Sequence, residues 1–159
     1  ESKTKDTLEQ KEIYLEENLL KGEGKNLIQD VVAVESGVRI SLNAHALFAR
    51  DSVKFRREAL TPLDTLCQYL SLTKRKLIIE SHTEKDSLRN HSFPSQWEFA
   101  ASRATAFVRF LIQRYNYPPQ QLAAVSYGSE RPLFAEDQSD NSKKNQRLDI
   151  LVLTNDNIY

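Results

Sequence analysis

The chain has almost none of the residues that several kinds of chemistry require. It holds a single cysteine, Cys67, in 159 residues, so no disulfide can close within it. Cys67 falls among Leu60, Leu63, Leu66 and Leu70, the setting of a small buried apolar side chain rather than a reactive thiol. Four glycines leave no Gly-rich phosphate loop and no Gly-x-Ser-x-Gly turn to activate a serine. The histidines His45, His82 and His91 are scattered and form no His-x-x-x-His or Cys-His cluster, so no metal site is expected. Asp137, Asp140 and Asn141 lack the loop glycine and terminal glutamate of a calcium loop. Lys plus Arg equals Asp plus Glu at 22 each, which removes the long-range field that draws a protein to nucleic acid or an anionic membrane. No apolar run approaches the roughly 20 residues that span a bilayer. There is no methionine, and the chain opens on Glu1 without a signal-peptide pattern. A piece or processed product of a longer protein is therefore expected, with any membrane anchor outside these residues.

What remains is ordinary globular composition, 40% hydrophobic and 28% charged, enough for one core. Residues 1–25 are dense in charge, with Leu8, Leu15 and Leu19 as sparse apolar points. They read as a thin helix over about residues 5–20, ended by Gly22 and Gly24. It is either a solvated linker or a helix that docks or pairs with a second copy. The domain proper is expected over residues 26–159.

Within it, Val31–Val34 and Val38–Leu42 read as strands around a Glu35-Ser36-Gly37 turn. An irregular connection carries Phe48 and Phe55. Leu60, Leu63, Leu66, Cys67 and Leu70 give a helix over about 56–71, and residues 76–81 give a short strand. Trp97, Ala100, Ala101, Ala104, Phe107, Val108, Leu111 and Ile112 recur at helical spacing from Ser95 to Tyr115. Ser95 and Glu98 have capping-box form there. Strands follow over 121–127 and 147–153. The order ββαβαββ predicts an α+β fold, a mixed sheet with both main helices on one face.

The chemistry concentrates at two charges. Glu84 follows a strand end, and Arg103 lies nineteen residues later, read here on the polar side of the long helix. A guanidinium pairs bidentately with a carboxylate, and a carboxylate accepts from an ammonium. The two suit a ligand carrying both charges, as an amino acid does, if they face one cavity open to solvent. By spacing alone they could equally pair with each other or face water.

The wider pattern favours the first arrangement. His82-Thr83-Glu84, Trp97-Glu98-Phe99-Ala100-x-x-Arg103-Ala104, Tyr127-Gly128-x-x-Arg131-Pro132 and Lys144-Asn145-Gln146-Arg147-Leu148-Asp149-Ile150 occur in order. Together they resemble the OmpA-like peptidoglycan-binding domain over roughly residues 38–153. The Trp-Glu before the helix is most similar to the flagellar stator protein MotB branch. Leu47-Phe48 with Asp51-Ser52 resembles that family's first strand-to-helix connection. The resemblance implies a βαβαββ sandwich that grips the diaminopimelate of peptidoglycan stem peptides, with no cofactor and no catalysis. It places Asp51, Thr83, Glu84, Phe99, Arg103, Asn145 and Arg147 at the ligand. It further implies a periplasmic module, held to the inner membrane by a segment not in this chain, working as a homodimer with stator or envelope-complex partners. Four departures stand against tight binding: Glu84 replaces the usual aspartate, Phe99-Ala100 replaces Leu-Ser, Gln146 replaces an arginine, and Ala49 replaces an aspartate.

Overall fold

The computed structural model describes residues 26–85, 92–133 and 144–154. The charged helix expected over residues 5–20 lies outside them, as does most of the loop before Arg147. Strand β1 (Ile28–Val34) turns through Ser36 into β2 (Gly37–Asn43). A short helix α1 (Ala44–Leu47) follows directly, in place of the irregular connection expected there. It forms because the Asn43 side chain accepts from the His45 amide, capping the turn. A single bridge between Phe48 and Phe55 closes the excursion that follows. Then come α2 (Leu60–Thr73), β3 (Leu77–His82), α3 (Gln96–Tyr115), β4 (Leu122–Gly128) and β5 (Arg147–Leu153).

The five strands form one mixed sheet in the order β1-β2-β5-β3-β4. Only β3 and β4 run parallel, because α3 carries the chain between them. β5 enters the middle, antiparallel to both β2 and β3. Its first residue, Arg147, therefore pairs with His82 at the end of β3 that leads to Glu84. Gly37 is required where the first hairpin meets β5: a Cβ there would come within 1.9 Å of the Val152 carbonyl oxygen.

Strand alternation divides the sheet into two faces. Ile40, Leu42, Leu77, Ile79, Leu148 and Ile150 point to one, where they are buried against Leu63, Leu66, Cys67 and Leu70 of α2 and Phe107 and Leu111 of α3. Both long helices thus cover the same face, as the pattern predicts. A fully buried side chain such as Phe107 contributes about 1.5–3 kcal/mol. Cys67 is wholly buried, and burial raises its thiol pKa far above the ordinary range, so it is inert.

The long helix starts where the capping box places it. The Ser95 hydroxyl accepts from the Trp97 amide and bonds the Glu98 carboxylate. It ends on Asn116 in the left-handed conformation (φ 56°), before Pro118 and Pro119. Ser95→Ala should lower stability by about 1 kcal/mol, read as a drop in thermal midpoint. Because α3 carries Arg103, this cap also fixes the height of the arginine along the sheet.

Candidate functional site

Arg103 does not lie on the polar side of its helix. It stands four residues after Phe99 and four before Phe107, and steps of four share a helix face. That face is the buried one: Phe99 and Phe107 are completely covered and Arg103 is 3% exposed. The guanidinium carbon sits 4.2 Å from the Phe99 ring centroid and 4.7 Å from that of Phe48, within cation–π range of both. Its Nε donates to the Ser52 carbonyl at 3.0 Å, so the Asp51-Ser52 turn fixes the fork. Asp51 holds that turn in the left-handed conformation (φ 52°). Burial pushes the arginine pKa down to about 10 against the favourable charge of Asp51, leaving it protonated at neutral pH.

Glu84 lies just past β3, with its side chain 19% exposed. It and Arg103 do not pair directly. Gln146 stands between them. Its Nε2 donates to Glu84 Oε1 at 2.7 Å, and its Oε1 accepts from Arg103 at 3.2 Å. The sequence treated Gln146 only as a lost positive charge. Alternation carries the missed signal: Gln146 immediately precedes Arg147 and shares the helix-covered side with Leu148, so it must point at α3. His45 adds a second neighbour, its Nε2 3.7 Å from Glu84 Oε1.

The other expected site residues divide in two. Thr83 is 3% exposed, and its amide donates to the Gly128 carbonyl at 2.8 Å. Its hydroxyl is buried with no partner among the described residues. Asn145, 1% exposed, accepts from the Leu133 amide at 2.9 Å and so ties the chain after β4 to the residue beside Gln146. Asp51, Thr83, Glu84, Phe99, Arg103 and Asn145 thus surround or support one end of the sheet. Trp97 caps the same end: it is half-exposed, and its ring would lie 3.3 Å from any Cβ placed at Gly128.

Arg147 goes elsewhere. One residue beyond Gln146 in the strand, it turns to the opposite face. There its Nε donates to Asp149 Oδ2 at 3.0 Å, and its terminal nitrogen lies 3.3 Å from His82 Nε2. All three are buried. Burial, and then the adjacent Arg147 charge, lower the His82 pKa to about 4, so the imidazole is neutral and accepts from the guanidinium. The unfolded histidine titrates near 6.5, so between pH 6.5 and 4 the unfolded chain binds more protons than the folded one. Stability should therefore fall as pH drops through that window, on the order of 2 kcal/mol. His82→Gln should flatten the dependence, measured as urea midpoints against pH.

The arrangement offers a fixed cation on an aromatic cradle, a carboxylate, and neutral hydrogen-bonding groups between them. Among the described residues no three His, Cys, Asp or Glu side chains come together to hold a metal. These are the kinds of group that recognise a small molecule of mixed charge.

The OmpA family model matches residues 47–147, and the chain belongs to that family. The motility protein B of Helicobacter pylori strain J99 is 31% identical over 140 residues, covering 86% of this chain and 52% of that protein. The peptidoglycan-associated lipoprotein of Pseudomonas aeruginosa is 28% identical over 103 residues, 65% of this chain and 58% of that protein. The chain thus spans about half the length of the curated motility proteins it matches. Among solved structures, a MotB-like protein from Desulfovibrio vulgaris superposes with a TM-score of 0.82 over 96% of this chain and 94% of that one. At 21% identity that likeness is one of fold.

Proposed function

We propose that this domain holds peptidoglycan without covalent chemistry, reading the zwitterionic end of a diaminopimelate side chain between Glu84 and Arg103. The observation that carries this is the pair itself. A carboxylate and a guanidinium are bridged by a single side-chain amide, which donates to one and accepts from the other as an amino-acid head group would. Arg103 receives the ligand's carboxylate bidentately, and Glu84 receives its ammonium. Phe48, Phe99 and the Ser52 carbonyl keep the guanidinium from reorienting. Thr83 supplies a spare buried hydroxyl, while Asp51 and Asn145 hold the surrounding turns. Arg147 acts from behind, by fixing β5. The domain is a binding module and not an enzyme.

In the cell this reading makes the chain the periplasmic, wall-gripping end of a membrane complex, most simply a motility stator. Its inner-membrane segment would lie outside these residues, and two copies would act together. The protein should co-sediment with diaminopimelate-containing sacculi, and free meso-diaminopimelate should compete it off. Sacculi that retain the protein in saturating free diaminopimelate would contradict the reading.

A second reading has one observation in its favour. Gln146 fills the space a ligand would need, and it replaces a charged family residue. A domain that kept the fold to hold a protein partner would look the same. Assembly into an envelope complex without any affinity for sacculi would favour it.

A further inference from the structure

Resting on the reading of Glu84 and Arg103 as an amino-acid site, we propose that Gln146 is a built-in stand-in for the ligand and sets the affinity of the site by competing with it. The geometry allows its amide only one orientation. Nitrogen must face the Glu84 carboxylate and oxygen must face the Arg103 guanidinium, because the reverse would set acceptor against acceptor and donor against donor. The amide nitrogen, 2.7 Å from Glu84, stands where a ligand ammonium would donate. The amide oxygen, 3.2 Å from Arg103, stands where a ligand carboxylate would accept. One neutral group therefore meets both halves of a zwitterion's recognition at once.

Two consequences follow from the chemistry of the pieces. In the free protein a buried arginine and a largely buried glutamate are satisfied without water, which an empty cavity of opposite charges would not achieve. To enter, a ligand must exchange two bonds between a charged and a neutral group for two between charged groups. It gains only the difference, and Gln146 must swing away. An amino-acid mimic lacking one of the two charges gains too little to displace it. Gln146 thereby sharpens selection for a doubly charged head group while weakening the absolute affinity.

The experiment is a calorimetric titration of free meso-diaminopimelate into the wild type, Gln146→Ala, Gln146→Asn and Arg103→Ala. Gln146→Ala should bind roughly tenfold more tightly than the wild type, since it forfeits charge-assisted bonds only in the free state. Gln146→Asn, one methylene too short to touch both charges, should fall between. In the wild type the side-chain NH2 signal of Gln146 should move toward its solvent-exposed position as ligand is added. That nuclear magnetic resonance readout does not depend on how well the variants fold. Binding that needs Arg103 but is weakened or left unchanged by Gln146→Ala would overturn this inference alone, as would a Gln146 signal that stays put at saturation. No binding by any of the four proteins would overturn the site reading and this inference with it.

Discussion

Arg103→Ala should release the protein from sacculi almost completely, with a loss of about 2–4 kcal/mol, or roughly thirty- to a thousand-fold in affinity. The size follows from where the arginine sits. A guanidinium that is 3% exposed binds a carboxylate away from competing water, so the contact is stronger than an equivalent surface pair. It is also preorganised by two rings and a backbone carbonyl, so little side-chain entropy remains to be lost on binding. The same burial means that alanine removes packing, and the folded fraction must be checked by circular dichroism. Arg103→Lys separates the two effects. It keeps the charge and most of the stem but not the planar fork. It should retain the fold yet bind about tenfold more weakly than the wild type. Full sacculus binding by a folded Arg103→Ala protein would remove Arg103 from the site.

Arg147→Ala should act in the opposite way, unfolding the domain without touching ligand affinity. The Arg147–Asp149 pair is among the most buried ion pairs described, with side chains 5% and 4% exposed. Removing the arginine leaves the Asp149 carboxylate without its cation in the sheet, which costs about 3–5 kcal/mol. Urea denaturation should show that loss. Replacing both partners, Arg147→Leu with Asp149→Leu, should cost less than the single change, because no charge is stranded. Sacculus binding per folded molecule should stay at the wild-type level, since Gln146 and Arg147 point to opposite faces. A stable Arg147→Ala protein that has lost binding would place Arg147 at the ligand instead.

Much of this was legible in the residues. The hairpin, both long helices, the capping box at Ser95 and the central closing strand follow from apolar spacing and turn chemistry. The ordered motifs around Glu84, Trp97, Gly128 and Arg147 were specific enough to give the family. The geometry around Glu84 and Arg103 was not legible. Arg103 lies between small residues and carries a charge, so it read as solvated. Its four-residue steps from Phe99 and Phe107 put it on the buried stripe, and cation–π contacts make that burial tolerable. Gln146 and Arg147 read as one unit because they are adjacent. A strand sends neighbours to opposite faces, so one bridges Glu84 and Arg103 and the other joins a buried ion pair behind them. The helix at Ala44–Leu47 was missed because four residues are too short for periodicity to register.

The most direct test asks whether the site reads charge at both ends. Nitrogen-15 spectra of the labelled wild-type protein would be recorded while meso-diaminopimelate, pimelate or cadaverine is added. Pimelate keeps the two carboxylates without the amines, and cadaverine keeps the amines without the carboxylates. Saturable shifts at the Arg103 Nε and Gln146 side-chain signals are expected with diaminopimelate and with neither of the others at matched concentration. Equal shifts with cadaverine or pimelate, or saturation by diaminopimelate that leaves both signals unmoved, would contradict a zwitterion held between Glu84 and Arg103.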